Sequence, residues 1–500
     1  MPFDYSTVDL EGILKRAYDQ MSELQRPAVG KARARGRVVF NMWMGTGKSF
    51  AALTAGFCFK PQHWLILVFK KSETTNWAAE IEKWFPEFSA PELYTIVRGQ
   101  ANERHTLYQR RSLFYVTTVG SFLRDIKWLV TRRIRFDVVT IDELHKTGLR
   151  NRKSQGFSSL KALVAKVEKL QPVKLINPLT GTWTSKGSVQ MWPTLNLLAP
   201  TVFRSYWKFA NTYNIMVDYG FGQTIIGPQN TESLALVTSP YVHHVSEADA
   251  AQHLPPLQRI ILPVSLTKPE WRDYNTMARH MFLEPGEEEE LITVQTVLAK
   301  LTRLRQLICC PRILSPDFPI GSVIEAIVDK IKENDELPNW KHNIVITPFV
   351  KSIIPFRSYL AEELGMSLDD IMIVQGGMEG AELKHVERRF RTDPQTMILA
   401  SLKAADAWNA ETALNVYFAH FDWDQDLNKQ AEARSRRVDG TQKMIRSYYA
   451  HVPNSITADM FEILNRKEYS NKLTYQDVKG LMERLRARHK KNEVPPQETC

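Results

Sequence analysis

The sequence predicts an α/β protein with two doubly wound parallel-sheet lobes in tandem, joined by a mostly helical connector. Three observations carry this. Short apolar runs alternate with helix-length amphipathic segments over residues 38–183 and again from 344, the pattern of parallel strands with crossover helices. A glycine turn at 44–49, MGTGKS, joins one such run to a helix. A pair of acids at 142–143 directly follows another run, at the carboxyl end of a strand, where ligands bind in sheets of this kind.

Residues 38–40, VVF, read as a buried strand, and 50–59, FAALTAGFCF, as a helix. The turn between them carries Met44, Gly45, Thr46, Gly47, Lys48 and Ser49. Strand, glycine turn and helix together let a phosphate sit on backbone N–H groups at a helix N-terminus. Gly45 and Gly47 let the backbone approach, Lys48 supplies a point charge for β- and γ-phosphates, and Ser49 offers a hydroxyl to Mg²⁺. The strict phosphate-loop pattern has a glycine where this chain has Met42. Upstream, Gln25 lies about one helix before the loop, a place from which a side-chain amide can read an adenine edge; surface glutamines are also common there.

Further strands are expected at 64–69, 113–118 and 136–141. A helix beginning near 72–75 places Trp77, Ile81 and Trp84 on one face. Asp142, directly after the fourth strand, is positioned to hold Mg²⁺, and Glu143 to orient and deprotonate an attacking water. Residues 175–180 read as a strand ending in Thr180-Gly181-Thr182, whose hydroxyls can link the nucleotide site to its surroundings.

Residues 210–314 read as a connector with helices rather than a sheet domain, punctuated by Pro255-Pro256 and the acidic run 287–290. His243 and His244 have no Cys or His companion at metal spacing. The second strand series is at 344–347, 371–374, 397–400 and 415–418. Gln430, Arg434 and Arg437 then recur at i, i+4 and i+7, which predicts one helix face. Arginines so presented can neutralise charge developing on a transferred γ-phosphoryl group. The expected division is 1–209, 210–314, 315–456 and a basic helical tail at 457–500.

Composition agrees with several domains. The chain has 500 residues, 43% hydrophobic and 24% charged, with four cysteines, which do not make a disulfide framework. No apolar run is long enough to span a bilayer, and the first twelve residues lack a secretory apolar region. A reducing cytoplasm is the expected setting. The net charge of +10 favours a polyanionic partner, with basic runs at 31–37 and 466–491 that read equally well as solvated faces.

In order, these segments resemble the superfamily-two helicases, and within them the Swi/Snf-type DNA translocases, over about residues 25–453. MGTGKS is similar to the first motif of that family, in which the leading glycine is also absent. The 70–86 segment with Trp77, DELH with the basic stretch after it, LTGT at 179–182, LRQLICCP at 304–311 and QAEARSRR at 430–437 resemble later motifs. One departure stands at 403–409, KAADAWN, where the family has a glycine-rich stretch. The resemblance implies RecA-like lobes with ATP between them. Gln25 would read adenine, Lys48, Ser49, Asp142 and Glu143 would come from the first lobe, and Arg434 and Arg437 from the second. It also implies a duplex or branched DNA partner held with little sequence preference, no metal beyond Mg²⁺, and a compact motor of the phage or bacterial kind in the cytoplasm. An RNA helicase shares the same ATP site, and a nucleic-acid-binding protein with a decayed motor is the non-enzyme alternative.

Overall fold

The computed structural model describes residues 3–70, 74–147, 157–158, 161, 173–181, 183, 188–218, 223–282, 294–404, 408–437, 440, 442–466, 480–481, 483–485 and 487–488. The expected helix start at Ser72, the basic stretch at 148–154, Thr182, the acidic run 287–290, and Arg486, Lys490 and Lys491 lie outside them. The chain divides into two compact units: Met1–Leu254 together with Glu379–Ala381, and the remainder from Pro255 to Cys500.

The first unit carries β1 (Val39–Met42), β2 (Trp64–Val68), β3 (Tyr94–Ile96), β4 (Phe114–Thr118), β5 (Val138–Ile141) and β6 (Leu175–Thr180). An antiparallel hairpin follows, β7 (Asn214–Asp218) with β8 (Gln223–Pro228), then β9 (Val242–Val245). Seven of these form one sheet in the order β3-β4-β2-β5-β6-β1-β9, parallel throughout. Its inner strands β1, β2, β5 and β6 are buried on both faces. Val39, Leu65, Leu67, Tyr115, Val139 and Ile176 meet the helix Val119–Thr131 and its neighbours on one side. Phe40, Trp64, Ile66, Val116, Val138 and Leu175 meet the helices Leu10–Gln20, Arg26–Arg35, Lys48–Phe57 and Thr74–Trp84 on the other. The period of two that sends successive side chains to opposite faces therefore fills two cores from one sheet.

The second unit repeats the plan with β10 (Leu257–Pro263), β11 (Ile344–Thr347), β12 (Ile371–Val374), β13 (Met397–Ser401), β14 (Asn415–Phe418) and β15 (Ile445–His451). Their order is β10-β15-β14-β11-β13-β12, again all parallel. Val345, Leu399 and Tyr417 face one core, and Ile344, Ile346, Ile398 and Phe418 the other. Two parallel-sheet α/β lobes are thus present, as expected.

Two expectations are corrected. Residues 210–314 carry more helix than strand but are not a separate connector: β9 completes the first sheet, β10 begins the second, and the division between units falls at Leu254/Pro255. The reason is pairing. β9 lies against β1 residue for residue from Val242 beside Val39 to Val245 beside Met42, and His243 and His244 serve that contact. His243 Nε2 lies 2.8 Å from the Leu24 carbonyl oxygen, and His244 Nδ1 lies 2.9 Å from Asn41 Nδ2. Second, Gln430, Arg434 and Arg437 do not share a helix. The helix Gln425–Glu432 ends first, because the chain tightens to i→i+3 hydrogen bonds from Arg434 N–H to Ala431 and Ser435 N–H to Glu432, and the Ser435 hydroxyl also donates to Glu432. The described part of 457–500 is packed against the rest of the chain. The helix Ile456–Arg466 and the residues Leu481 and Leu485 pack in the core of the second unit, and Arg488 pairs with Asp459 at 2.7 Å. No helix among the described residues is long and apolar enough to cross a membrane.

Leu485 is fully buried. Leu485→Ala should therefore lower stability by about 2–5 kcal/mol. Denaturant unfolding measures this; unchanged stability would mean that residues 480–488 do not pack as described.

Candidate active site

The site is set by register. β6 lies between β5 and β1, with Ile141 beside Pro178, and Leu179 beside Phe40. Three chain exits therefore leave one edge of the sheet together: the turn at 43–47, Asp142-Glu143, and Thr180-Gly181.

In the turn, Gly45 and Gly47 have φ of 78° and 75°, a region that only glycine adopts without cost. A methyl group on Gly47 would strike the Gln25 side-chain nitrogen, and one on Gly181 would approach Met44 Cγ to 3.1 Å and Lys48 Nζ to 3.5 Å. Gly47 caps the helix Lys48–Phe57 with no side-chain hydrogen bond, so the first N–H groups of that helix have no side-chain cap. The Thr46 hydroxyl donates to the Trp43 carbonyl at 2.6 Å, and Met44 and Thr46 are buried. Lys48 Nζ lies 3.1 Å from the Met42 carbonyl oxygen. Ser49 is half-buried at the start of the helix.

Gln25 is placed differently from the expectation. Its side-chain nitrogen donates to the carbonyls of Thr46 at 2.9 Å and Gly47 at 3.3 Å, and its side-chain oxygen accepts from Ser22 N–H. It is buried, bracing the phosphate loop from behind.

On the acidic side, Asp142 is half-buried. Burial, then the neighbouring Glu143 charge, push its carboxyl up to about 6 against the opposing pull of Trp77, whose indole N–H donates to Asp142 Oδ2 at 3.0 Å. Glu143 sits at φ 45°, a left-handed conformation that costs a non-glycine residue about 1–3 kcal/mol and that tends to occur at active sites. His145 Nδ1 approaches Glu143 Oε2 at 3.1 Å and Thr180 Oγ1 at 3.3 Å. These residues fit Mg²⁺ with a nucleotide triphosphate: a half-buried carboxylate pair in which the Asp142 charge is disfavoured, a lysine, a hydroxyl and a glycine cradle at a helix N-terminus. Asp142 and Ser49 would hold the ion, which would supply charge neutralisation for the phosphates.

The arginines belong to the second unit. Arg434 Nε donates to the Gln430 carbonyl and its Nη1 to the Trp408 carbonyl at 2.9 Å, while Arg437 donates to Asn409 Oδ1. Gln430 is buried. Arg436 is buried and donates to the Pro255 carbonyl at 2.7 Å. Sequence reasoning missed Trp408 and Asn409 as the seat of these arginines, although they end the very stretch, 403–409, that departs from the family pattern. It also missed Glu432, which receives Arg259 at 2.8 Å and the Tyr449 hydroxyl at 2.8 Å and so ties the helix to β10 and β15. Trp77 was placed only on an apolar face; the acidic partner of its N–H is distant in sequence.

The first unit thus gathers a glycine turn, a lysine and an acid pair at the carboxyl edge of a doubly wound parallel sheet. The SNF2-related domain matches residues 13–313, and the chain belongs to that family. It is 24% identical to the Homo sapiens DNA annealing helicase and endonuclease ZRANB3 over 473 residues, covering 90% of this chain and 40% of that one. It is 23% identical to the Arabidopsis thaliana Protein CHROMATIN REMODELING 4, covering 85% and 19%. The chain therefore spans less than half the length of these curated relatives. The Sulfolobus solfataricus SWI2/SNF2 ATPase core in complex with dsDNA aligns with a TM-score of 0.42 at 17% identity, covering 93% of this chain and 96% of that one.

The raised Asp142 carboxyl has a consequence for stability. A folded carboxyl at about 6, against 3.8 ordinarily, binds its proton more tightly in the folded protein. Its stabilising effect is complete below about pH 4, falls as pH rises through about 6, and is flat above. Thermal melts in EDTA should show this decline, and Asp142→Asn should flatten it. A decline of the same size in the variant would assign it to other groups.

Proposed function

We propose that the chain is an ATP-driven DNA translocase or helicase acting on duplex or branched DNA with little sequence preference. The observation that carries this reading is the convergence of Lys48, Asp142-Glu143 and Thr180-Gly181 on three adjacent strands. Lys48 and the backbone of Gly45 to Ser49 bind and orient the triphosphate. Ser49 and Asp142 hold Mg²⁺, which supplies charge neutralisation on the phosphates. Glu143, steered by His145, takes the proton of the attacking water. Gln25 keeps the loop in its binding shape through its bonds to the Thr46 and Gly47 carbonyls. Arg434 and Arg437 meet the charge that develops on the transferred phosphoryl group, with Gln430 anchoring the turn that presents them. The net charge of +10 supports a nucleic-acid partner held mainly through phosphates. The DNA-directed names of the relatives favour DNA over RNA. The described cysteines Cys58, Cys309 and Cys310 are free thiols, which suits a reducing cytoplasm.

The test is steady-state ATP hydrolysis with no nucleic acid, duplex DNA, single-stranded DNA and RNA. Duplex or branched DNA should stimulate turnover most. Stronger stimulation by RNA would replace the DNA reading, and no turnover under any condition would leave a binding protein.

Two variants divide the roles of the loop and the acid. Lys48→Ala should abolish hydrolysis while DNA binding survives. Glu143→Gln should bind ATP with Mg²⁺ and hydrolyse it very slowly; if nucleotide binding disappears with turnover, Glu143 is structural.

For the arginines, Arg437→Ala should lower turnover about a thousandfold or more with ATP binding little changed, as expected for a group that acts in the transition state. Arg436→Ala removes the same charge one residue away, but from a buried side chain bonded to Pro255. It should lower the melting temperature and, assayed well below that temperature, reduce turnover far less. Equal losses of turnover in the two folded variants would end the assignment of Arg437 to the phosphoryl group.

A further inference from the structure

We infer that the first unit has a second binding site, for a phosphate-bearing ligand, at the edge of the sheet opposite the phosphate loop. Segments entering β2, β4 and β5 border an open concavity of about 590 Å³ there, within the range of small-ligand sites. Because the strands are parallel, this amino-end cavity and the carboxyl-end loop lie at opposite ends of the same sheet. The two sites are independent in the residues that build them.

Four arginines line the cavity: Arg110, Arg111, Arg133 and Arg135. All four are exposed, and among the described residues none of their guanidinium groups has an ion pair or a hydrogen bond. Arg110 and Arg111 follow the helix Ala101–Tyr108, and Arg133 and Arg135 follow the helix Val119–Thr131. Basic residues after a helix often serve its last carbonyls. These do not, since no side-chain bond from them to those carbonyls is present among the described residues.

The acid in the lining does not neutralise them. Asp137 accepts from Gln62 N–H at 2.9 Å and His63 N–H at 2.9 Å, and Lys174 Nζ lies 3.3 Å from it. Its charge is already matched by groups that hold the turn into β5. Four like charges around one concavity repel one another, and an anion relieves that repulsion.

The backbone gives a separate indication. Arg133 has φ 54°. It follows the last helical turn, with Ile134 N–H donating to the Leu129 carbonyl, a position where glycine or asparagine is usual. An arginine there is a strained choice for a helix end, and strained residues gather at ligand clamps. Guanidinium groups bind phosphate oxygens in forked pairs, so clustered phosphates match this lining better than a single carboxylate does.

The ligand phosphates can belong to a small polyphosphate or to nucleic acid, and the experiment separates them. Lys48→Ala, to weaken the phosphate loop, is compared with Lys48→Ala/Arg110→Ala/Arg135→Ala. Tripolyphosphate binding is measured by calorimetry, and binding of a 5′-phosphorylated DNA duplex by fluorescence anisotropy over a salt series. At least tenfold weaker tripolyphosphate binding in the triple variant supports a small-polyphosphate site. Unchanged tripolyphosphate binding with weaker duplex binding, and a log–log salt slope shallower by about 0.9 for each DNA phosphate no longer neutralised, supports nucleic-acid phosphates. No change with either probe, at an unaltered melting temperature, overturns the inference. Arg110→Gln/Arg135→Gln in the same background keeps the aliphatic stems and provides the same comparison should the alanine variant melt early.

Discussion

The lateral register of β5, β6 and β1 is the constraint on which the first unit depends. Val139, Ile176 and Val39 must reach one core, and Val138, Leu175 and Phe40 the other. A slip of one residue in any of these strands would send its apolar side chains to the wrong face. The same register brings the phosphate turn, Asp142-Glu143 and Thr180-Gly181 to one edge of the sheet. The positions of the chemical groups are thus enforced by hydrophobic burial some distance below them, and direct bonds among those groups are not needed to align them.

β5 illustrates how one strand can carry two carboxylates in opposite conditions. Asp137, at its amino end, is surrounded by N–H donors and a lysine. Asp142, at its carboxyl end, has Trp77 and the Glu143 N–H as donors and a like charge beside it, and its carboxyl rises. The first arrangement closes a turn. The second leaves negative charge that the proposed Mg²⁺ would meet.

The strands with continuous apolar runs were legible in the sequence, because burial on both faces leaves no ambiguity of period: β2, β5, β11 and β13 are of this kind. So were the glycine turn and the acid pair, whose chemistry depends on residue type and on position after a strand. β10 and β15 were not. β10 has no buried position and β15 reads IRSYYAH; β10 pairs with β15 along its whole length, and β15 pairs with β14 on its other side. Nor could local spacing show that the helix before Arg434 stops at Glu432, since a Ser435 hydroxyl and a buried Arg436 decide it. The second unit's seat for Arg434 and Arg437 joins the turn at 434–437 to Trp408 and Asn409, and no periodicity connects segments that far apart.

The pairing of β9 with β1 has a practical side. β1 carries the phosphate loop at its end, and with β6 on one side and β9 on the other its backbone groups are satisfied in both directions. Lys31 Nζ reinforces the arrangement by reaching the Val242 carbonyl at 2.7 Å. A lobe excised at residue 209, where composition suggests a boundary, would turn β1 into a bare, apolar sheet edge of the sort that recruits foreign strands. Aggregation of such a fragment would report on a missing neighbour rather than on a faulty nucleotide site, and the natural place to cut is after Leu254.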